Sequence, residues 1–210
     1  MYRGPVSFET VNYTATAATD KIRWSFDRPT GVAIAPNGDI FVSDGHHPNK
    51  HDSARVVKFS KDGTFIKAWG RKGAAPGEFD EPHDIFVGGS QARVYVADRR
   101  NRRIQVFDQD GTFIAAWPQF GQPSSVFVGA DDTIYVGAAF RDAAAKQGEL
   151  RGIVIGNAND GALKAFIPDP TDLDTVDVGT SASGIAADAA GAIYAADVGA
   201  HNLRKYVKAE

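Results

Sequence analysis

The sequence predicts an all-β fold, a β-propeller of four four-stranded blades, because one pattern of strands recurs four times along its 210 residues. Each unit contains an aliphatic residue followed by an aromatic one: Ile40-Phe41, Val94-Tyr95, Ile134-Tyr135 and Ile193-Tyr194. Runs rich in Val, Ile, Phe and Tyr that are bounded by Gly, Asp or Asn are typical of β-strands. Repeated four-stranded units are typical of propeller blades, whereas the alternative, an all-β sandwich, would not repeat its strands in register.

The other strands of each unit keep the same order. A short apolar run precedes each aliphatic-aromatic pair, and further strand-like segments follow it. Asp-Gly pairs at 62–63, 110–111 and 160–161 predict hairpins, because glycine supplies the positive φ that tight turns need. Strand pairs are expected near 31–43, 84–97, 125–137 and 184–196. The expected division is an N-terminal segment 1–28 and blades at about 29–81, 82–122, 123–182 and 183–210.

The last unit stops after its third strand, so the sequence leaves open how the propeller closes. The segment Lys21–Phe26 alternates the apolar residues Ile22, Trp24 and Phe26 with polar ones. One prediction is that it supplies the missing outer strand of the last blade and closes a four-bladed ring. The other is that it is an irregular linker in an open part of a six-bladed propeller. Open sheet edges would then favour homo-oligomers.

Composition argues against several classes of protein. The formal net charge of −3 argues against general binding to nucleic acid or to a membrane surface. The absence of cysteine excludes disulfides and thiolate metal sites. No apolar stretch approaches the roughly 20 residues that span a bilayer, and no signal peptide is recognisable after Met1. We therefore expect a soluble chain, and its localisation stays open.

The extra length of the units falls in loops that would share one face. Insertions follow the second or the fourth strand, at 45–54, 70–81, 139–151 and 168–182. In a propeller these connections surround one mouth of the central channel, and such insertions often mark a binding face. We expect His46, His83 and Arg99 to share one site there, among the loops 45–54, 70–83, 98–102, 138–151 and 198–202.

Several stretches resemble a known family. Pro82-His83-Asp84, followed by VADRRNRRIQVFDQDG at 96–111, resembles an NHL repeat. With PTGVAIAPNGDIFVSDG at 29–45 and WGRKGAAPGEFDEPH at 69–83, the pattern is similar to bacterial proteins of the peptidyl-α-hydroxyglycine α-amidating lyase type. The resemblance covers most of 27–210 and is specific in the first two blades. It implies a six-bladed propeller with zinc held by histidines, a tyrosine base, and arginines that bind the substrate carboxylate. The lyase reaction converts a C-terminal α-hydroxyglycine to a peptide amide and glyoxylate.

Matched residue by residue, the resemblance implies part of that site. His83 matches a zinc-binding histidine, and Arg99 matches a substrate arginine, a candidate for ligand binding and catalysis. His46 stands where the catalytic tyrosine would follow Asp44-Gly45, so it is a candidate base or a second metal ligand beside His83. Ala182-Ser183 replaces another Pro-His pair. Zinc is therefore expected only through His83 and His46, and lyase turnover at a useful rate is not expected.

Charged residues near the same rim are further candidates. Arg99, Arg100, Arg102 and Arg103 offer guanidinium groups that suit a carboxylate, or that pair instead with Asp98, Asp80 or Glu81. Asp44 and Asp98, with Asp197 in the last unit, end second strands. They are candidates for binding a ligand or calcium, or for accepting N–H bonds from the loop that follows.

Two functions remain open from the sequence. The first is a propeller related to the amidating lyases that binds a small carboxylate-bearing molecule or a peptide at the channel mouth. The second is a non-catalytic propeller that binds another protein on its rim. Metal content would separate them, because stoichiometric zinc favours the enzyme.

Overall fold

The computed structural model describes residues 26–46, 53–138, 150–170, 182–198 and 200–208, which form four antiparallel sheets. Strands that are neighbours in the chain are neighbours in each sheet, so every sheet is a meander. The one helical element in these ranges is the 3-10 turn Pro118–Phe120. The predicted all-β propeller architecture is confirmed.

The sheets follow the order of the sequence units. The first consists of β1 (Pro29–Ile34), β2 (Ile40–Asp44), β3 (Arg55–Phe59) and β4 (Phe65–Trp69). The second consists of β5 (Pro82–Gly88), β6 (Arg93–Asp98), β7 (Arg103–Phe107) and β8 (Phe113–Trp117). The third consists of β9 (Pro123–Val128), β10 (Thr133–Ala138), β11 (Gly152–Asn157) and β12 (Leu163–Pro168). Within the described ranges, the fourth has β13 (Gly184–Ala187), β14 (Ile193–Asp197) and β15 (Asn202–Tyr206).

The predicted strand pairs and hairpins are confirmed. β1 pairs with β2, β5 with β6, β9 with β10 and β13 with β14. Gly63, Gly111 and Gly161 have φ angles of 81°, 78° and 75°, as the Asp-Gly hairpins require. The proposed closing strand Lys21–Phe26 lies outside the described residues except for Phe26, whose ring centroid is 6.1 Å from that of Phe59.

The hydrophobic core lies between successive sheets. Phe41 of β2 is buried in one cluster with Ile85 and Val87 of β5. Tyr95 of β6 is buried in the next cluster with Val126 of β9. The inner strands β1, β5, β9 and β13 contact one another in that order. Each repeat of the sequence therefore forms one sheet that packs against the next.

A bulge lies near the start of each of the first three inner strands. Thr30, His83 and Ser124 are the extra residues in the pairing with β2, β6 and β10. Thr30 Oγ1 donates a hydrogen bond of 2.7 Å to the Pro82 carbonyl, and His83 Nδ1 donates one of 2.7 Å to the Ser124 carbonyl. Ser125 Oγ continues the series into the segment before β13 with a bond of 2.6 Å. Side chains at or next to the bulges therefore link each described sheet to the next.

Asp84 makes a similar link with a charged group. Its carboxylate accepts a backbone N–H bond from Ile85 and another from Val126 across the junction, each 2.9 Å long. Burial raises the pKa of Asp84 to about 6, although these two hydrogen bonds act in the opposite direction.

One face of the first sheet is not covered by any described sheet. Val32 and Ile34 of β1 are 67% and 68% exposed, whereas Ile85 and Val87 at the equivalent positions of β5 are 3% and 6% exposed. Exposed aliphatic residues on a sheet face are a common feature of interaction surfaces.

We predict that Asp84 makes the folded state more stable as the pH falls from about 7 to about 4. The pKa of Asp84 is about 6 in the folded state, above its ordinary value of 3.8, so the folded state binds the proton more tightly than the unfolded state. Protonation in that window should raise the free energy of unfolding by on the order of 3 kcal/mol. Urea unfolding of the wild type and Asp84→Asn measures the effect. As the pH falls, the free energy of unfolding of the wild type should rise relative to that of Asp84→Asn. A difference between the two that does not change with pH would contradict this account.

We predict that the uncovered face of the first sheet makes the chain self-associate. Sedimentation velocity over a wide range of protein concentrations should show a species heavier than one chain. Ile34→Lys should reduce that species, because a charge on this face opposes its burial. Ile114→Lys is the matched control, since Ile114 is exposed on the outer strand β8 of the second sheet and not on this face. Equal effects of the two substitutions would argue against this interface.

Candidate ligand site at the channel mouth

The structure brings His46, His83 and Arg99 together, as the sequence predicts. The ring centroids of His46 and His83 are 4.9 Å apart. The carboxylate of Glu81 lies between His46 and Arg99, with its Oε1 3.1 Å from His46 Nε2 and 4.0 Å from Arg99 Nη1. The wider clustering of the mouth loops stays a prediction, because residues 47–52 and 139–149 lie outside the described ranges.

His83 is held in one tautomer by its place in the fold. A carbonyl oxygen can only accept, so the bond to Ser124 requires the proton on His83 Nδ1. Burial lowers the pKa of His83 to about 4, and the nearby positive charge of Arg99 lowers it further. His83 is therefore neutral at pH 7, with a lone pair on Nε2.

Glu81 is the site residue that sequence reasoning missed, since it entered only as a partner for an arginine. It is buried, it has a φ of 60°, and its Oε2 accepts a 2.7 Å hydrogen bond from Arg100 Nε. Burial alone would raise the pKa of Glu81, but the Arg100 hydrogen bond, the neighbouring His46 and the positive charges of Arg99 and Arg100 lower it below its usual value. The carboxylate is therefore ionised at neutral pH.

The segment before β5 fixes the position of Glu81. Phe79 is fully buried, and the N–H of Asp80 donates a 2.8 Å hydrogen bond to Asp98 Oδ1. The same Phe-Asp-x-Pro sequence stands before β1 at 26–29, where the Asp27 N–H bonds to Asp44 in the same way. This repeat is the signal that could have identified Glu81 as a residue held at the start of an inner strand.

The arginines divide between the site and the blade. Arg99 is 2% exposed beside Glu81, and Arg100 bonds to Glu81 directly. Arg103 pairs with Asp98 at 2.7 Å and also donates to backbone carbonyls of the loop before β5. Of the four arginines predicted near this rim, Arg99 and Arg100 therefore lie around the Glu81 carboxylate.

Asp44 and Asp98 are fully buried and bonded within their own blades. Asp44 accepts N–H bonds from Asp27 and Arg28 and pairs with Arg55. Asp98 accepts from Asp80, from the Asn101 side chain and from Arg103. Among the described residues, the backbone N–H donors to Asp44 and Asp98 precede the inner strand. The expectation that such donors come from the following loop holds for Asp197, which accepts from the Ala200 N–H. Ligand binding by Asp44 and Asp98 stays a prediction.

The donor groups at the mouth fit zinc only in part. His46 and His83 supply two imidazoles, but the nearby Glu81 carboxylate is bonded to Arg100 and lies beside Arg99, whose charges repel a divalent cation. Among the described residues, no group of three or more His, Cys, Asp or Glu side chains is arranged to hold a metal ion. Zinc and calcium remain predictions from sequence, and no step below depends on them.

Comparison with known proteins supports the same fold and family resemblance. Residues 34–122 match the family model DUF5128, described as a 6-bladed beta-propeller. This description agrees with the alternative prediction, an open part of a six-bladed propeller. No helix in the described ranges is long and apolar enough to cross a membrane.

Curated relatives match about two fifths of the chain. Peptidyl-glycine alpha-amidating monooxygenase B of Xenopus laevis is 39% identical over 88 residues, which are 40% of this chain and 10% of that protein. NHL repeat-containing protein 3 of Homo sapiens is 36% identical over 80 residues, 38% of this chain and 22% of that protein. Peptidyl-alpha-hydroxyglycine alpha-amidating lyase 1 of Drosophila melanogaster is 35% identical over 88 residues, 38% of this chain and 15% of that protein. The chain thus spans less than a quarter of each of these relatives.

A solved structure agrees with the architecture. Virginiamycin B lyase from Staphylococcus aureus, in a crystal structure with quinupristin, has a TM-score of 0.58 at 18% identity over 87% of this chain and 58% of that chain. At that identity the likeness concerns the fold alone. Strand order, sheet packing and sequence matches together identify the chain as a β-propeller that is similar to NHL repeat-containing proteins and to the peptidyl-α-hydroxyglycine α-amidating lyases.

Proposed function

We propose that the channel mouth binds a small molecule or a peptide end through its carboxylate, without amidating-lyase turnover at a useful rate. One observation carries the proposal: Arg99, His46 and His83, from three separate segments, converge on one point where a carboxylate is already held. Guanidinium groups are suited to carboxylates because their N–H donors match the two oxygens.

The neutral His83 adds a second type of contact. Its Nε2 accepts hydrogen bonds and donates none, so it suits a ligand with a hydroxyl or N–H group near the carboxylate. The site therefore favours a ligand that combines an anion with a neighbouring donor. The end of a peptide has both groups.

We predict that N-acetylglycine, a minimal peptide end, binds the chain and that Arg99→Gln weakens binding about tenfold or more, since a charged hydrogen bond is removed. Isothermal titration measures both affinities. N-acetylglycinamide, which lacks the charge, should not bind, and Arg71→Gln in the exposed loop at 70–78 should bind like the wild type. Equal binding of acid and amide would favour the alternative, a propeller that binds other proteins on its rim.

We predict that the His83 ring stays neutral and protonated on Nδ1 down to about pH 4. Nitrogen-15 NMR of the imidazole reports both the tautomer and the titration midpoint. Arg99→Gln should raise the midpoint, because the charge of Arg99 disfavours the imidazolium form. Arg71→Gln should leave it unchanged. A midpoint near 6.5 in the wild type would show that His83 is not buried as described.

We predict no robust glyoxylate release when the chain is given zinc and a hydroxyglycine-terminated peptide. The reaction needs a firmly held metal and a separate base, and His46 cannot serve as both. Loss of a positioned base alone typically costs on the order of 10²–10⁴-fold in rate. Rapid zinc-dependent turnover that His83→Ala abolishes would contradict this part of the proposal.

A further inference from the structure

We propose that Glu81 occupies the place of the ligand carboxylate, so that a ligand binds by displacing it. This inference rests on the proposed function and makes Glu81 the residue that sets the affinity of the site. The groups assigned to the ligand are Arg99, Arg100 and His46, and each of them lies at the Glu81 carboxylate. A glutamate side chain and the end of a peptide present the same chemical group.

The positive φ of Glu81 is not shared by the equivalent residues of the first and third blades. Arg28 and Gln122 stand at the equivalent positions, directly before Pro29 and Pro123, and neither has a positive φ. Glu81 has a φ of 60°, a conformation that costs an ordinary residue roughly 1 kcal/mol. The hydrogen bond and ion pairs of the Glu81 side chain offset that cost. They hold the carboxylate in place although the backbone alone would favour another conformation.

The contacts of the carboxylate come from two other loops. Its Oε2 accepts the 2.7 Å bond from Arg100, and its Oε1 faces His46 at 3.1 Å and Arg99 at 4.0 Å. His46 follows β2 of the first sheet, and both arginines follow β6 of the second. A ligand carboxylate that reaches these donors would compete with Glu81 for them.

Charge explains why the internal carboxylate limits affinity. Arg99 and Arg100 carry two positive charges, and Glu81 compensates one of them. A second carboxylate at the same point would be repelled while Glu81 remains. Neutral glutamine at position 81 would remove that repulsion.

The test compares the affinity of the full chain for N-acetylglycine with that of Glu81→Gln. We expect Glu81→Gln to bind at least tenfold more tightly, with N-acetylglycinamide as the uncharged comparison. Glu78→Gln is the matched control, because Glu78 lies in the same loop and pairs with Arg71 outside the site. It should bind like the wild type. Thermal unfolding of each variant checks that the fold is kept.

Glu81→Asp provides a second measurement that preserves the charge. Its shorter side chain should reach the arginines less well, so its affinity should lie between those of the wild type and Glu81→Gln. Equal or weaker binding by both Glu81 variants would overturn the inference, even when the wild type binds N-acetylglycine and the proposed function stands. Failure of the wild type and of both variants to bind would overturn both.

Discussion

Hydrogen bonds from the inner strand of one sheet to the next are the interaction on which the described structure depends. The sheets have no shared backbone ladder, so their spacing is set by side-chain packing and by bonds such as that from Thr30 to the Pro82 carbonyl. The approach is close: a Cβ at Gly137 would lie 2.1 Å from the Ala182 carbonyl oxygen. Glycine is therefore required at that junction, and the Ser125 bond holds it in place.

The candidate site uses these links. The bulge that lets His83 reach the Ser124 carbonyl also places its ring beside His46 and fixes which nitrogen carries the proton. Burial at the junction keeps the ring neutral, while Arg99 and Arg100 remain charged around Glu81. A structural contact between two sheets thus determines the chemistry at the mouth of the channel.

The sequence predicted the strands well because each strand is a local pattern. Pairs such as Val94-Tyr95 alternate between two packed faces, and Asp-Gly turns are defined by the φ of one glycine. It also placed His46, His83 and Arg99 together, because propeller loops of known type share one face. Glu81 was not predicted, since its positive φ and its burial depend on contacts with loops far away in sequence.

The most direct test of the account is a crystal structure of the chain with N-acetylglycine. It should place the ligand carboxylate within hydrogen-bonding distance of Arg99 and Arg100, with the Glu81 side chain turned away from its 2.7 Å contact to Arg100. A structure in which Glu81 keeps that contact while the ligand lies elsewhere on the propeller would contradict the central claim.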